Sequence, residues 1–124
     1  MLSRFPLNGF VPVADAERAR AFYEGMLGLE LMSDNEYVAT YRAGANKIML
    51  QKGMTTPPAE RTIVGWEVTG IRDVVTELTG RGVEFLRLDM PWMKQDDLGI
   101  WESPDGKVAW FKDPDGNTLS VSEH

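Results

Sequence analysis

The sequence predicts an α+β fold built from two similar halves, each with one strand, one helix and three further strands. Three observations support this fold class. The chain repeats itself, each half has one stretch of helical apolar spacing, and short apolar runs alternate with turn sequences. The length of 124 residues is that of one ordinary domain. We therefore expect a single domain over residues 1–124.

The repeat is clearest where the first strand of each half leads into a helix. Residues 8–15 (NGFVPVAD) match residues 63–70 (IVGWEVTG) at an offset of 55 residues. The last strands, residues 43–51 and 114–122, match at an offset of 71 residues. The increase in offset predicts an insertion in the second half, around residues 86–101.

Each half contains one predicted helix. Asp15 is a suitable N-cap for a first helix that runs to about Leu27, and Gly28 follows where glycine often ends a helix. A shorter second helix is predicted over residues 71–80. The runs EYVATYR, NKIMLQ, GIWES, KVAWFK and NTLSV are predicted as hairpin strands, because turn sequences such as AGAN and DPDG separate them.

The boundaries of the two modules follow from the repeat and from local composition. Module one is predicted over about residues 5–52 and module two over about residues 62–124. The segment between them, about residues 53–61, has two adjacent prolines and no periodic apolar pattern, which is typical of a link. Neither module is expected to be stable alone.

The composition argues against several classes of partner and site. The formal net charge is −6, whereas a nucleic-acid partner would require clustered lysine and arginine, so we expect neutral or cationic ligands instead. The absence of cysteine excludes disulfides, thiolate metal sites and cysteine nucleophiles. No window approaches the roughly 18 apolar residues of a membrane span. We expect a cytoplasmic protein without a membrane partner.

Several motifs of the chain resemble the vicinal-oxygen-chelate superfamily, which contains glyoxalases, bleomycin-resistance proteins and extradiol dioxygenases. They are the two tandem βαβββ units, the helix entry at Val13 and Asp15, the segment AFYEGMLGLEL and the segment WFKDPDGNTLSV. The resemblance covers the whole chain. It implies that the two modules form an open, cup-shaped mixed sheet, with the helices outside and a ligand cavity inside. It also implies a homodimer, since many members complete the arrangement in this way.

The resemblance also implies where a metal would bind. Family metalloenzymes place their ligands on the first and last strands of each unit, and the matching residues here are Asn8, Met49, Ile63 and Ser120. Zn²⁺, Fe²⁺, Mg²⁺ and Mn²⁺ require histidine or carboxylate ligands at such positions, and these four side chains supply almost none. The only histidine, His124, is expected in a mobile terminus. We therefore expect no metal and no other cofactor.

The inward side of the predicted cup combines an apolar floor with a few polar groups, which is typical of a small-molecule pocket. A shift of two residues along the last strands would place Gln51 and Ser122 on the same face. Three tryptophans around the insertion could stack on a planar or cationic ligand. The candidate ligand-binding residues are Asn8, Phe10, Met49, Gln51, Ile63, Trp92, Trp101, Trp110 and Ser120.

Structural roles are the alternative for the aromatic residues. Trp66 and one of the pair Trp110 and Phe111 are expected in the core. Trp92 lies in a segment without a strand pattern, which could cover the cavity mouth, contact a second copy or be solvated. The acidic side chains that would favour a basic ligand, unless they only form a charged surface, are Asp89, Asp96, Asp97, Glu67 and Glu102.

Glu67 is the candidate catalytic residue. A carboxyl group on an otherwise apolar inward surface should have a raised pKa and could act as a general base. It could also accept a hydrogen bond from a ligand. The alternative is an ion pair across the sheet with Lys47, Arg42 or Lys112.

Three functions are compatible with these residues. The first is a metal-free small-molecule-binding protein of the glyoxalase and bleomycin-resistance type, which sequesters a drug or metabolite in an aromatic-lined cavity and is not an enzyme. The second is a glyoxalase-like or dioxygenase-like enzyme, a lyase or isomerase on a small oxygenated substrate, with Glu67 as the acid or base. The third is a structural dimer with a filled cup.

Overall fold

Each half of the chain folds around one four-stranded mixed sheet. The structure is a computed structural model that describes residues 1–88 and 90–124, so the acidic residue Asp89 lies outside the described residues. The chain divides into two compact units, Met1–Pro57 and Pro58–His124. The boundary falls within the segment expected to link the two modules.

Unit 1 has the strand and helix order predicted for a βαβββ module. The strand order in its sheet is β1-β4-β3-β2, with β1 parallel to β4 and the other neighbours antiparallel. A short 3₁₀ turn, Leu2–Arg4, precedes it. The elements are β1 (Asn8–Val13), α1 (Ala16–Arg20), a π-helical turn (Ala21–Met26), β2 (Glu30–Asp34), β3 (Val38–Ala43) and β4 (Asn46–Lys52).

The first helix starts as predicted but does not continue as a regular α-helix. The Asp15 carboxylate accepts hydrogen bonds from the backbone N–H groups of Glu17 and Arg18, which confirms the predicted N-cap. From Ala21 onwards the helix widens into a π turn, in which the Leu27 N–H donates to the Phe22 carbonyl at 2.9 Å. The apolar spacing of the sequence does not distinguish this extra residue per turn from an α-helix.

The core of unit 1 lies between this helix and one face of the sheet. Side chains alternate between the two faces of each strand, so the buried apolar residues of β1, β3 and β4 share the face that packs on the helix. The opposite face is only partly covered. The buried apolar residues are Val11, Val13, Ala19, Phe22, Tyr23, Ala39, Tyr41, Ile48 and Leu50.

Unit 2 repeats the topology of unit 1, which confirms the internal repeat. Its sheet has the order β5-β8-β7-β6, again with the first strand parallel to the last and the other neighbours antiparallel. Helix α2 spans Ile71–Gly80, as predicted. The strands are β5 (Thr62–Glu67), β6 (Trp101–Ser103), β7 (Gly106–Lys112) and β8 (Thr118–Glu123).

The N-terminus of α2 is capped from a distant strand. Gly70 at the N-cap has a φ of 73°, and it has no side chain that could accept a hydrogen bond. The Glu123 carboxylate on β8 accepts hydrogen bonds from the N–H groups of Gly70 and Ile71 at 2.9 and 3.0 Å. These two bonds lower the pKa of Glu123. This carboxylate therefore ties the last strand to the start of the helix.

The insertion interrupts the second strand of unit 2. In unit 1, β2 pairs with β3 through Leu31 and Tyr41, and the corresponding residues Phe85 and Phe111 form an isolated bridge. The chain then leaves the sheet and returns at Trp101, where β6 starts. The change of offset in the sequence repeat predicts the insertion at this place.

Within residues 1–88 and 90–124, no helix is long and apolar enough to cross a membrane.

A buried tyrosine connects the π turn to the sheet in unit 1. The Tyr41 hydroxyl donates to Glu24 at 2.8 Å, and the Arg20 guanidinium donates to the same carboxylate at 2.6 Å. Both hydrogen bonds lower the pKa of Glu24, and the bond from Arg20 has the larger effect. Burial raises the pKa of Tyr41. Lys52 similarly lowers the pKa of Asp34 through a hydrogen bond.

The lowered pKa of Glu24 predicts a pH-dependent stability. A carboxyl group with a lowered folded pKa contributes stability above its ordinary pKa of 4.5, and this contribution is lost as the pH falls through the folded pKa. We expect Glu24→Gln to cost about 1–2 kcal/mol at pH 7 and to lose less stability than the wild type below pH 4.5. Urea denaturation from pH 7 downwards measures this. Glu36→Gln is the control, and identical pH dependence in wild type and Glu24→Gln would contradict the account.

Candidate functional site

The face of the unit 2 sheet opposite α2 carries most of the candidate residues of that unit. We call it the open face. Phe111, Leu119 and Val121 point to the α2 side and are buried. Because strand side chains alternate, the residues next to them in sequence, such as Trp110 and Ser120, point to the open face. Gly65, Ser120 and Trp110 lie side by side across three neighbouring strands.

Three tryptophans form a continuous row on this face. Trp101 on β6 and Trp110 on β7 are stacked at 25°, with ring centroids 6.1 Å apart. Trp92, from the insertion, contacts Trp101 edge-on at 73° with a centroid distance of 5.6 Å. We call these three residues the tryptophan platform. Trp92 is 66% exposed, so the platform presents a large aromatic surface to solvent.

The insertion holds Trp92 through hydrogen bonds rather than through a strand. The Gln95 side-chain amide accepts from the Leu88 N–H at 2.6 Å and donates to the carbonyls of Leu86 and Gly99 at 2.8 and 2.9 Å. Met93, next to Trp92, is buried. Arg72 on α2 forms an ion pair with Asp96 at 2.7 Å. Gln95 therefore connects the residues before Trp92 to those after it.

Loss of the Gln95 side chain should loosen the insertion. Gln95→Ala removes three hydrogen bonds and leaves two carbonyls and one N–H without partners, which costs about 2 kcal/mol of local stability. We expect backbone amides of residues 86–100 to exchange hydrogen faster, with little change in β7 and β8. Hydrogen exchange by mass spectrometry measures this. Lys94→Ala is the control, and equal exchange in both variants would contradict the role of Gln95.

Gly65 makes room for the Ser120 hydroxyl. A Cβ atom placed on Gly65 would lie 2.6 Å from Ser120 Oγ, so a side chain at that position would require the Ser120 hydroxyl to rotate away. Ser120 is buried, and its hydroxyl forms no hydrogen bond with the described residues. The pair leaves a shallow, polar strip beside Trp110.

Ile63 lies next to this strip at an irregular point of the sheet. The register between β5 and β8 shifts between Thr62 and Val64, and Ile63 is the unpaired residue. Its side chain is 40% exposed. The strict alternation expected for this strand therefore starts only at Val64.

Unit 1 presents the remaining candidate residues on the sheet face away from its helix. Phe10 pairs in register with Met49, and Asn8 and Gln51 lie in the rows on either side. Phe10 is 51% exposed. The four residues therefore share one face, as the strand alternation predicts.

Glu67 differs from its predicted environment. Its side chain is 59% exposed, and its carboxylate accepts from the His124 backbone N–H at 2.9 Å and contacts the His124 ring nitrogen Nδ1 at 2.6 Å. Hydrogen bonds from His124 lower the pKa of Glu67, and the bond from its backbone N–H has a larger effect than the bond from its ring. The expected raised pKa is therefore wrong, because the group is solvated and hydrogen-bonded. The partner is His124 rather than a lysine or an arginine.

Donor chemistry at the predicted metal positions does not fit the metals of the family. Asn8, Met49, Ile63 and Ser120 include neither an imidazole nor a carboxylate. Within residues 1–88 and 90–124, no group of three or more histidine, aspartate or glutamate side chains is close enough to hold a metal ion. We derive no chemical step through a metal.

Clefts elsewhere in unit 2 lie on the α2 side of the sheet. One has a volume of about 340 Å³ and contains Phe85 and Arg87, and another of about 310 Å³ contains Arg72 and Lys94. Neither includes a residue of the tryptophan platform. Charged side chains form most of the wall of the second cleft and part of the wall of the first, whereas the platform offers a continuous aromatic surface. We therefore base the candidate site on the platform.

Comparison with known proteins decides the family. The sequence model of the glyoxalase/bleomycin resistance protein/dioxygenase superfamily matches residues 7–121. The chain belongs to this superfamily. The vicinal-oxygen-chelate resemblance is thereby confirmed, together with the two βαβββ modules of its fold. No curated protein matches the chain significantly.

Several solved structures are similar to this chain in fold. A glyoxalase family protein from Bacillus anthracis has a TM-score of 0.76 at 23% identity, with 100% of this chain and 97% of that chain covered. TnmS3, an antibiotic binding protein from a Streptomyces species, has a TM-score of 0.72 at 23% identity, with 99% and 98% covered. A lactoylglutathione lyase from Agrobacterium tumefaciens has a TM-score of 0.73 at 14% identity, with 97% and 93% covered.

All three platform residues are candidates from the sequence, whereas Lys112, their neighbour on β7, is not among the candidate binding residues. From the sequence, Lys112 is expected only as a partner of Glu67. The available signal is its position two residues after Trp110, which places both side chains on one face of β7.

Proposed function

We propose that this member of the superfamily is a small-molecule-binding protein that holds its ligand without the family's metal and without a catalytic step. The observation that carries the proposal is the tryptophan platform, which lies open beside the polar strip of Gly65 and Ser120. An aromatic surface with a few polar groups suits a ligand that is itself planar and apolar. The protein would sequester such a drug or metabolite.

Two further observations support a binding role. The residues at the metal positions, Asn8, Met49, Ile63 and Ser120, lack the donors that the family's metalloenzymes need. The fold is also similar to that of TnmS3, which is an antibiotic binding protein. The unit 1 candidates are proposed for that unit by itself, where Phe10 and Met49 would supply apolar contacts and Asn8 and Gln51 polar ones on its own sheet face.

An enzyme is the second candidate, because the chain is also similar in fold to a lactoylglutathione lyase. Glu67 would then be the acid or base. Its lowered pKa keeps the carboxylate ionised, and the bond to His124 occupies both of its oxygens. A base with a lowered pKa is a weaker proton acceptor, so this geometry favours binding over catalysis.

The proposed working form is a cytoplasmic homodimer, as the family resemblance and the sequence suggest. Light scattering of the purified protein tests the dimer, since one chain has a mass of 13.9 kDa. A mass of one chain at all concentrations would remove the dimer from the proposal without affecting the binding site.

The proposed function is tested by measuring the metal content of the purified protein and its affinity for a probe. We expect protein purified without chelator to contain no stoichiometric Zn, Mn, Fe or Ni, and to bind the neutral probe 2-naphthylmethanol equally well with and without EDTA. Calorimetric titration measures the affinity. Stoichiometric metal, or binding that EDTA abolishes, would contradict the metal-free role. If a reaction is found, unchanged turnover in Glu67→Gln would exclude Glu67 from it.

A further inference from the structure

We infer that the ligand of the tryptophan platform is a planar aromatic molecule with an anionic substituent, such as a carboxylate or phenolate, which Lys112 binds. The inference rests on the proposed binding function and names the chemical class of its ligand. It opposes the cationic ligand expected from the net charge of the sequence.

Lys112 stands on the open face next to the platform. It follows Trp110 by two positions on β7, so the two side chains point to the same face with their Cα atoms about 7 Å apart. A ring that stacks on Trp110 would therefore have its edge within reach of the flexible lysine side chain. Lys107, on the same strand, points to the α2 side instead.

The Lys112 ammonium has weak partners in the protein. Its Nζ atom lies 3.3 Å from the Gly116 carbonyl and 3.5 Å from Thr118 Oγ1, both at the long end for hydrogen bonds. The side chain is exposed. No carboxylate of the described residues lies within 4.0 Å of Nζ. An exposed cation without a carboxylate partner can bind a ligand anion without first breaking an ion pair.

Hydroxyl groups extend the polar side of the site. Thr118 and Ser120 lie on β8 next to Lys112 and Trp110, respectively. The Thr118 hydroxyl donates to the Ala59 carbonyl at 2.9 Å, so it has no proton left for a ligand. The Ser120 hydroxyl has no such bond among the described residues and can donate to an oxygen of the ligand.

Three acidic side chains of unit 2 have partners of their own. Glu67 on the open face is paired with His124. Asp96 and Asp97 in the insertion both face Arg72, with which they form ion pairs. Glu67 lies on β5, two strands away from Trp110, whereas Lys112 lies on the same strand and the same face as Trp110.

Three probes that share one ring separate charge from stacking. They are 2-naphthoate, 2-naphthylmethanol and 2-naphthylmethylammonium, titrated by calorimetry at low ionic strength, where charge contributions are least screened. We expect the wild type to bind the carboxylate about tenfold more tightly than the ammonium. Lys112→Met should remove this preference and leave the affinity for the neutral alcohol unchanged. Lys112→Arg should keep the preference, and Lys107→Met is the control on the opposite face.

The outcomes distinguish this inference from the proposed function. Equal affinities for all three probes, a preference for the ammonium, or an unchanged preference in Lys112→Met would overturn the anionic ligand while the binding role stands. If neither the neutral alcohol nor either charged probe binds, the proposed function itself is overturned. Because Lys112 is exposed, circular dichroism of the variants should match the wild type, and loss of preference with a wild-type spectrum supports the inference.

Discussion

Replacement of Trp110 by leucine should weaken binding of 2-naphthylmethanol by at least about tenfold. The Trp110 ring stacks on Trp101 and borders the strip of Gly65 and Ser120, so it is the central surface of the platform. Stacking of one ring on an aromatic side chain contributes about 1–3 kcal/mol when judged by truncation, and 1.4 kcal/mol corresponds to a factor of ten. Calorimetric titration of the purified variant measures the loss.

Trp66→Phe is the matched control for this experiment. Trp66 lies on the other face of the same sheet and stacks on Phe111, with ring centroids 6.4 Å apart. The variant should be less stable than the wild type but should bind the probe with the same affinity. If Trp66→Phe weakened binding as much as Trp110→Leu, the ligand would not bind on the open face.

Truncation of Phe111 should have the largest effect on stability. Phe111 is fully buried on the α2 side of β7, where it contacts the rings of Trp66 and Phe85. Phe111→Ala would leave a cavity among these rings and should cost about 3–5 kcal/mol of unfolding free energy in unit 2. Urea denaturation followed by tryptophan fluorescence measures it, since all four tryptophans lie in this unit.

Substitutions at the adjacent residues Trp110 and Phe111 should thus affect binding and stability separately. Trp110→Leu should cost much less stability than Phe111→Ala, because Trp110 is only half-buried. A cost below about 1 kcal/mol for Phe111→Ala would show that the α2 side of the sheet is not the core of unit 2.

The fold could be predicted from the sequence because the chain carries the signal twice. Equivalent residues recur at nearly constant offsets, and the large increase in offset from 55 to 71 residues marks the insertion, which the Phe85–Phe111 bridge precedes. Local chemistry predicted the Asp15 cap as well. It did not predict the π turn, since apolar spacing alone cannot resolve one extra residue in a helix. The cap that Glu123 provides for α2 also escaped prediction, because it joins residues far apart in sequence.

The candidate site could be predicted only in part. Strand alternation places Trp110 and Ser120 on one face, and this needs only the period of two. The approach of Trp92 to Trp101 depends on the hydrogen bonds of Gln95, which no periodicity reveals. The environment of Glu67 depends in the same way on His124, which pairs with it from 57 positions away.

The central claim is that the ligand binds on the tryptophan platform, and the indole N–H signals of the four tryptophans test it most directly. Each signal can be assigned in nitrogen-15 spectra from single tryptophan-to-phenylalanine variants. On titration with 2-naphthoate, the signals of Trp101 and Trp110 should move and saturate together, with a smaller change at Trp92 and none at Trp66. A saturable shift confined to Trp66, or no shift at Trp101 and Trp110 while calorimetry records binding, would contradict the account.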